Sequence, residues 1–283
     1  MARRRHLMGR LVHAWALCSL LLVLSLVAFL FGFVLLEGLP HVSWEFLTTA
    51  PSGAVLGEEG GILPAIVGSL WFTGVAVVLG GTFAVAVALF VTYLCPVRLA
   101  RVTRAVLGVA SGIPSIVLGL FTYSLFVRDL DWGRCILSSG VALAIMILPF
   151  VEVRVEKALR ELPAPLVSSS LALGCSLPYT IRRVVLPAVR GQVVGALVLG
   201  ACYAMGATAP LMFTGAVAFA RLPRSVMDPA MALPMHLYLL VAQGTTSLGL
   251  AYGTALVMMA IILVGNVAVT AYTRRSVRRW KSS

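Results

Sequence analysis

The stretch Ser168–Gly174 reads SSSLALG, and Leu186-Pro187 follows twelve residues after its glycine. Both lie in a polar segment between long apolar runs, and the segment carries four arginines: Arg160, Arg182, Arg183 and Arg190. Because several charges are costly in hydrocarbon, we expect this segment to lie outside the bilayer. The pattern predicts two short helices that are separated by one glycine turn and ended by one proline.

The local chemistry of this segment favours such a helix-turn-helix. Pro163 and Pro165 suit the first turn of the first helix, and Gly174 suits the left-handed position after it. Ser176 can cap the second helix, and Pro187 is predicted to stop it. Periodicity alone leaves two interpretations open, a docking element for a partner protein or an interfacial amphipathic loop without a partner. The side chains expected to supply apolar contacts are Val167, Leu171 and Leu173.

The composition of the whole chain indicates a polytopic membrane protein. Of its 283 residues, 60% are hydrophobic and 11% are charged, whereas soluble domains carry roughly 25% charged residues. Runs long enough to cross about 30 Å of hydrocarbon predict six membrane helices in one transmembrane domain. These spans are 14–36, 62–93, 105–127, 135–151, 191–214 and 248–272. We expect the first helix to be peripheral, the core to occupy about 62–272, and the polar segment about 152–190.

The net charge of +12 is concentrated in short loops and at the termini. When both termini are placed in the cytoplasm, most Arg and Lys residues fall on that side and most acidic residues fall outside. This positive-inside distribution predicts the orientation. The same distribution accounts for the basic charge, because cations in short loops set the topology and contact membrane lipid. We therefore expect no nucleic acid as a partner.

Several classes of function are disfavoured by what the sequence lacks. It has no GxxxxGK[ST] loop, and its only lysines are Lys157 and Lys281, so no means of binding ATP is recognisable. No Asp, Glu, Lys or Arg falls within the six predicted spans, which disfavours an ion-coupled carrier and an intramembrane hydrolase. The five cysteines are scattered without a CxxC pair, so we expect no metal or other cofactor. The protein is therefore predicted to be a non-enzyme that is driven from outside.

The polar segment resembles the conserved cytoplasmic loop of ABC importer permeases, which is written EAA, three residues, G, nine residues, I-x-L-P. Here the matching residues are Ser168–Ser170, Gly174, Val184, Leu186 and Pro187, with SSS in place of EAA. The resemblance implies that a separate ABC ATPase docks on this loop. The residues that it implies for coupling are Leu171, Gly174, Arg182, Val184, Leu186 and Pro187.

Further motifs in the same order resemble the phosphate-specific permeases of the PstA type. They are GGILPAIVGS at 60–69, GIPSIVLGLF at 112–121, MILP at 146–149, GATAPL at 206–211, DP at 228–229 and LP at 233–234. The resemblance implies an all-α, MetI-like permease with six transmembrane helices and a cytoplasmic coupling helix-turn-helix between the fourth and fifth. The implied function is ATP-driven import of inorganic phosphate across the bacterial inner membrane. The implied partners are the ATPase, a second permease subunit in a heterodimer and an extracytoplasmic substrate-binding protein.

Two glycine–proline pairs predict where the translocation pathway lies. Gly112 with Pro114 in the third span, and Gly206 with Pro210 in the fifth, should break helices and free backbone carbonyls, as at transporter substrate sites. Kinks or close helix packing through small residues are the other interpretation. The predicted pathway residues are Gly112, Pro114, Ser115, Tyr203, Gly206, Thr208 and Pro210.

The fifth span departs from the PstA-type pattern in its charges. Where that pattern reads RALGETAP, residues 203–210 read YAMGATAP, so the arginine and the glutamate are replaced by Tyr203 and Ala207. We predict that these two positions share one helix face, and losing both charges together avoids stranding either one. Three hypotheses stay open. The partner permease supplies the cation while Tyr203 and Thr208 donate hydroxyls, the substrate is another anion such as molybdate, tungstate or sulfate, or the chain is a non-transporting assembly partner.

Overall fold

The computed structural model describes residues 2–52, 55–57, 59–244 and 247–281, with side chains from 8 to 273 apart from residue 10. The terminal basic side chains used for the predicted orientation lie outside the described side chains. The first half of the described chain contains six helices and one small hairpin. In order they are α1 Ala2–Gly38, a 3₁₀ turn Leu39–His41, α2 Trp44–Thr48, strands β1 Pro51–Ser52 and β2 Glu59–Gly60, α3 Leu63–Ala76, α4 Thr82–Leu89, α5 Val97–Ser111 and α6 Ser115–Thr122.

The second half is helical except for one long connection between α11 and α12. Its helices are α7 Ile136–Arg160, α8 Ala164–Ala172, α9 Leu177–Thr180, α10 Leu186–Met205, α11 Ala209–Thr214, α12 Leu233–Ala242 and α13 Leu248–Lys281. Four π-helical turns join or extend these helices: Val77–Gly81, Phe90–Leu94, Tyr123–Asp129 and Ile181–Val185.

Within the part of the chain that the structure describes, five helical runs are long and apolar enough to cross a membrane: Leu11–His41, Leu63–Leu94, Ile136–Arg160, Leu177–Met205 and Leu248–Thr273. The α5–α6 pair supplies a sixth when it is counted as one broken span. The predicted all-α, six-helix architecture is thus confirmed, but the third span is not one straight helix. Its halves meet at 96°, because Gly112 and Pro114 interrupt the backbone and Pro114 disfavours helical geometry at the residue before it.

Helix α7 extends beyond the span predicted for it. The predicted span ended at Val151, whereas α7 continues to Arg160 and includes Glu152, Arg154 and Glu156. The charged residues do not end the helix, because Glu and Arg are good helix formers and Glu156 is paired with two arginines. The polar segment therefore begins after Arg160.

Helix α7 lies at the centre of the bundle, against α3, α4 and α10. Glycines allow the close approach: a Cβ on Gly80 would lie 2.6 Å from the Ala144 carbonyl oxygen, and one on Gly200 would lie 2.6 Å from Val151. On the outside, α1 packs along α13, with the Phe33 and Tyr252 rings 5.5 Å apart.

Irregular backbone fills the end of the bundle opposite to the polar segment. Asp228 accepts hydrogen bonds from the amides of Arg224 and Ser225 at 2.8 and 2.9 Å. The buried hydroxyl of Ser69 accepts one from the Leu233 amide at the start of α12. Because α12 has ten residues, it is too short to span the bilayer.

Candidate functional site

The polar segment folds into the predicted helix-turn-helix, residues 164–187, around Gly174. The φ angle of this glycine is +84°. Its amide donates to the Leu171 carbonyl at 3.0 Å, and the Cys175 amide donates to the Ser170 carbonyl at 3.2 Å. These two bonds form a Schellman cap, so the left-handed glycine predicted after the first helix is observed.

A side-chain hydrogen bond holds the two arms of this helix-turn-helix together. The hydroxyls of Ser170 on α8 and Thr180 on α9 are 2.9 Å apart, and both residues are buried. Val167 packs against a buried cluster that contains Val155 of α7 and Val189 of α10. The helix-turn-helix is thus fixed to the bundle.

Its outer surface is apolar at the turn and basic beside it. Leu173 was expected to make apolar contacts, but it is 84% exposed because it precedes Gly174 at the outermost point of the turn. Leu171 and Tyr179 are also exposed, as are Arg182 and the neighbouring Arg183. This surface therefore presents exposed apolar side chains at the turn and two exposed arginines next to them.

Two details of the second helix differ from prediction. Ser176 occupies the cap position, but its side chain makes no capping hydrogen bond. Pro187 does not end the helix, since one helical run continues from Leu177 to Met205. The π-helical turn Ile181–Val185 directly precedes α10, and Pro187 falls in the first turn of α10, so this widened turn accommodates the missing donor. Val184 and Leu186 are half-buried, and Pro187 is exposed.

The two predicted helix breaks are observed, and their following helices pack together. Helix α5 ends at Ser111 and α10 ends at Met205, and three residues separate each of them from the next helix, α6 or α11. A Cβ on Gly119 of α6 would lie 2.8 Å from the Pro210 Cα at the start of α11. The broken helices are therefore in direct contact.

The predicted pathway residues do not all line one cavity. Gly112, Pro114 and Gly206 are exposed, Ser115 and Thr208 are half-buried, and Pro210 is buried under α6. Tyr203 lines a groove, but Ala207 lies beyond the end of α10. The prediction that positions 203 and 207 share a helix face is wrong, because the helix stops at Gly206.

This groove, of about 610 Å³, lies between α5, α7 and the Tyr203 end of α10. Arg104, Glu152, Arg154 and Glu156 in it were missed as site residues, because the predicted spans started at residue 105 and stopped at Val151. For the two glutamates the signal was their spacing by four residues, which places them on one helix face. The residues lining the groove are Arg104, Leu107, Gly108, Ser111, Met146, Pro149, Phe150, Glu152, Val153, Arg154, Glu156 and Tyr203.

Arg154 places a cation in the same groove as Tyr203. Its guanidinium carbon lies 3.5 Å from the centre of the Phe150 ring, and its Nη1 donates to the Phe150 carbonyl at 3.0 Å. The rings of Phe150 and Tyr203 are 5.3 Å apart. The Arg154 guanidinium and the Tyr203 ring thus both contact the Phe150 ring, and both side chains carry hydrogen-bond donors.

The two glutamates of the groove differ in their partners. Glu156 accepts hydrogen bonds from Arg104 Nε at 2.8 Å and Arg160 Nε at 2.7 Å. Glu152 is 1% exposed, and its Oε1 has no hydrogen-bond partner among the described residues. The groove therefore contains a doubly paired carboxylate one helical turn from an unpaired carboxylate oxygen.

Comparison with known proteins shows that the sequence of this chain matches a family model. Residues 80–281 match the family model of the binding-protein-dependent transport system inner membrane component. The chain is 28% identical over 269 residues to the probable ABC transporter permease protein YqgI of Bacillus subtilis, with 90% of each chain covered. It is 30% identical over 228 residues to the probable phosphate transport system permease protein PstA of Methanocaldococcus jannaschii, with 80% of each covered.

A solved structure has the same fold. The MetNI methionine ABC transporter, in an inward facing conformation, matches with a TM-score of 0.64 and 18% identity, over 76% of this chain and 95% of that one. At this identity the likeness shows the fold alone.

Proposed function

The chain belongs to the family of binding-protein-dependent transport system inner membrane components, and from this premise we propose that it is the permease subunit of an ATP-driven importer of inorganic phosphate. The name of its relative PstA supports phosphate as the substrate. The missing charges at Tyr203 and Ala207 are the objection, because an oxyanion pathway needs a cation. Arg154, one aromatic ring away from Tyr203, answers that objection.

Arg154 is the observation that carries the proposal. Stacking on Phe150 orients its planar guanidinium, which suits it to bind oxyanions through paired N–H donors. The Tyr203 hydroxyl adds a neutral donor in the same groove. In this proposal the chain supplies its own cation from α7, whereas the sequence favoured a cation from the partner permease.

The partners follow from the two exposed surfaces. With the basic end of the bundle in the cytoplasm, the helix-turn-helix presents Leu171, Leu173 and Arg182 to a separate ATPase subunit. At the side of the groove, α6 exposes Ile116, Val117 and Leu120, and a second permease subunit packs there to close the pathway. A binding protein delivers the anion at the opposite end.

The test is uptake of labelled phosphate into vesicles that hold the complex with its ATPase, second permease and binding protein. Replacing Arg154 by Gln should lower uptake by about 10- to 100-fold, the equivalent of one charge-assisted hydrogen-bond site. Arg154→Lys should retain part of the activity. Arg101→Gln is the matched control, because Arg101 is an exposed arginine of α5 outside the groove.

Three results would overturn this assignment. Uptake of molybdate, tungstate or sulfate without phosphate would assign another oxyanion. ATP hydrolysis without transport of any of these anions would identify a non-transporting assembly partner. Equal uptake by wild type and Arg154→Gln would remove Arg154 from the pathway.

A further inference from the structure

The acidic residues of the groove have unequal numbers of partners. Glu156 is bound by both Arg104 and Arg160, whereas the buried Glu152 has an unpaired oxygen. A buried carboxylate oxygen without a hydrogen-bond partner is costly. Because Glu152 lines the same groove as Arg104, we looked for a state in which the two side chains pair.

The helical spacing on α7 places both carboxylates within reach of one arginine. Glu152 and Glu156 are four residues apart, so they project from the same face about 6 Å apart along the axis. Both line the groove together with Arg104. An arginine on a helix beside α7 would pass from one carboxylate to the other by moving about one helical turn.

Helix α5, which carries Arg104, buries few of its side chains within this subunit. Of the fully described α5, only Ala100 is buried. The helix is bounded by Pro96 at its start and by the 96° break at Gly112–Pro114 at its end. A Cβ on Gly112 would contact only the Val109 carbonyl, at 3.4 Å, so the break has space around it.

We propose that Arg104 alternates between two acceptors, Glu156 in the state described here and Glu152 in a second state, as α5 slides about one turn along α7. Departure of Arg104 does not strand Glu156, because Arg160 stays bound to it. In the second state Arg104 donates a hydrogen bond to the buried Oε1 of Glu152. Each state therefore keeps Glu156 paired, and two discrete packings of this kind give a bistable element.

In this mechanism Glu152 is a positioning residue that acts through Arg104. The link between this movement and the ATP-driven cycle rests on the proposed function, but the movement itself does not. The displacement of α5 along α7 can be measured in the assembled complex whether or not an anion is transported.

The experiment measures the distance between spin labels at Val102 of α5 and Val264 of α13, two exposed positions. Helix α13 is the reference because it packs on α10, which packs on α7. The complex is measured with and without ATP and vanadate. The wild type should show two distances that differ by up to about 5 Å, the pitch of one turn.

Substitutions at the two acceptors should shift these populations in opposite directions. Glu152→Gln should leave only the state with Arg104 on Glu156, and Glu156→Gln should favour the other state. Glu152→Asp should restore both distances. Glu161→Gln is the matched control, since Glu161 is an exposed glutamate of the same region that pairs loosely with Lys157 at 3.8 Å.

The proposal would be overturned if the Glu152→Gln variant showed both label distances in the same proportions as the wild type. A shift in the same direction for both glutamine variants would also overturn it. Thermal unfolding separates these results from misfolding, because Glu152→Gln removes an unpaired charge and should not lower the melting temperature. If the distances alternate as expected but phosphate uptake is absent, the proposed function fails and the two-acceptor movement stands.

Discussion

The helix-turn-helix and the groove differ in how far apart in sequence their stabilising contacts lie. The Schellman bonds of the turn join residues within 170–175, and the Ser170–Thr180 hydrogen bond joins residues ten positions apart. In the groove, Arg104 and Glu156 are 52 positions apart. The turn is therefore specified by neighbouring residues, while the groove depends on the packing of the whole bundle. A substitution at the turn surface should change partner binding, and one in the groove should change stability or transport.

Leu173→Asp is expected to give the largest functional loss. Leu173 is 84% exposed, so a charge there should not change the stability of this subunit. An exposed apolar anchor can contribute 2 kcal/mol or more to an interface, so ATPase association and ATP-driven uptake should fall about 30-fold or more. Copurification of the ATPase measures the effect, and Leu173→Met is the control that keeps the apolar surface. Normal copurification of the Asp variant would show that the turn is not the docking site.

Glu156→Ala should give the largest loss of stability. It removes the shared acceptor of two charge-assisted hydrogen bonds, and we expect the free energy of unfolding to fall by about 1–3 kcal/mol. The lower part of this range applies if the half-exposed arginines recover hydration. Chemical unfolding in detergent measures the change. Glu161→Ala, which breaks an exposed pair, should cost under about 0.5 kcal/mol, and equal losses in both variants would contradict the buried pairing.

Thr180→Val tests the contact between α8 and α9. It leaves the buried Ser170 hydroxyl without its partner, at a cost of about 1–2 kcal/mol. The double variant Ser170→Ala/Thr180→Val should recover part of this loss, because neither polar group then remains. Unfolding of the single and double variants gives the coupling energy. Strict additivity would show that the two hydroxyls do not depend on each other.

Gly174→Ala should have the smallest effect. The φ angle of +84° disfavours any side chain, at about 1 kcal/mol. Apart from Gly174 and its two chain neighbours, no atom of the described residues lies within 4 Å of the position that a Cβ would occupy, so no clash adds to this cost. Hydrogen exchange at the Cys175 amide, which the cap protects, measures the loosening. Gly174→Asn should cost less, because asparagine tolerates left-handed geometry, and unchanged exchange in Gly174→Ala would show that the cap is not needed.

The parts of the fold that depend on local chemistry were predictable from the sequence. Gly174, the break at Gly112–Pro114 and the break before Pro210 follow from the backbone preferences of glycine and proline. The family could be recognised from the sequence for the same reason, because its motifs are built around glycine and proline residues. The length of α7 was not predictable in this way, because charge was used to mark the end of a span. Only the folded bundle shows that Arg104 neutralises Glu156.

Two further differences have the same physical origin. Pro187 reads as a helix terminator in isolation, but the preceding π-helical turn accommodates it. Positions 203 and 207 read as one helix face, but α10 ends at Met205. In both cases the hydrogen-bond pattern of neighbouring turns, which side-chain type does not reveal, decides where the helix continues.

The uninterrupted helical run from Leu177 to Met205 makes its two ends mechanically dependent on each other. At 1.5 Å per residue its 29 residues extend about 43 Å, so a tilt of about 10° displaces one end relative to the other by about 7 Å. Arg182 stands near one end and Tyr203 near the other. Force applied at the exposed turn thus reaches the wall of the groove as lever motion, without any intermediate that must unfold or re-form.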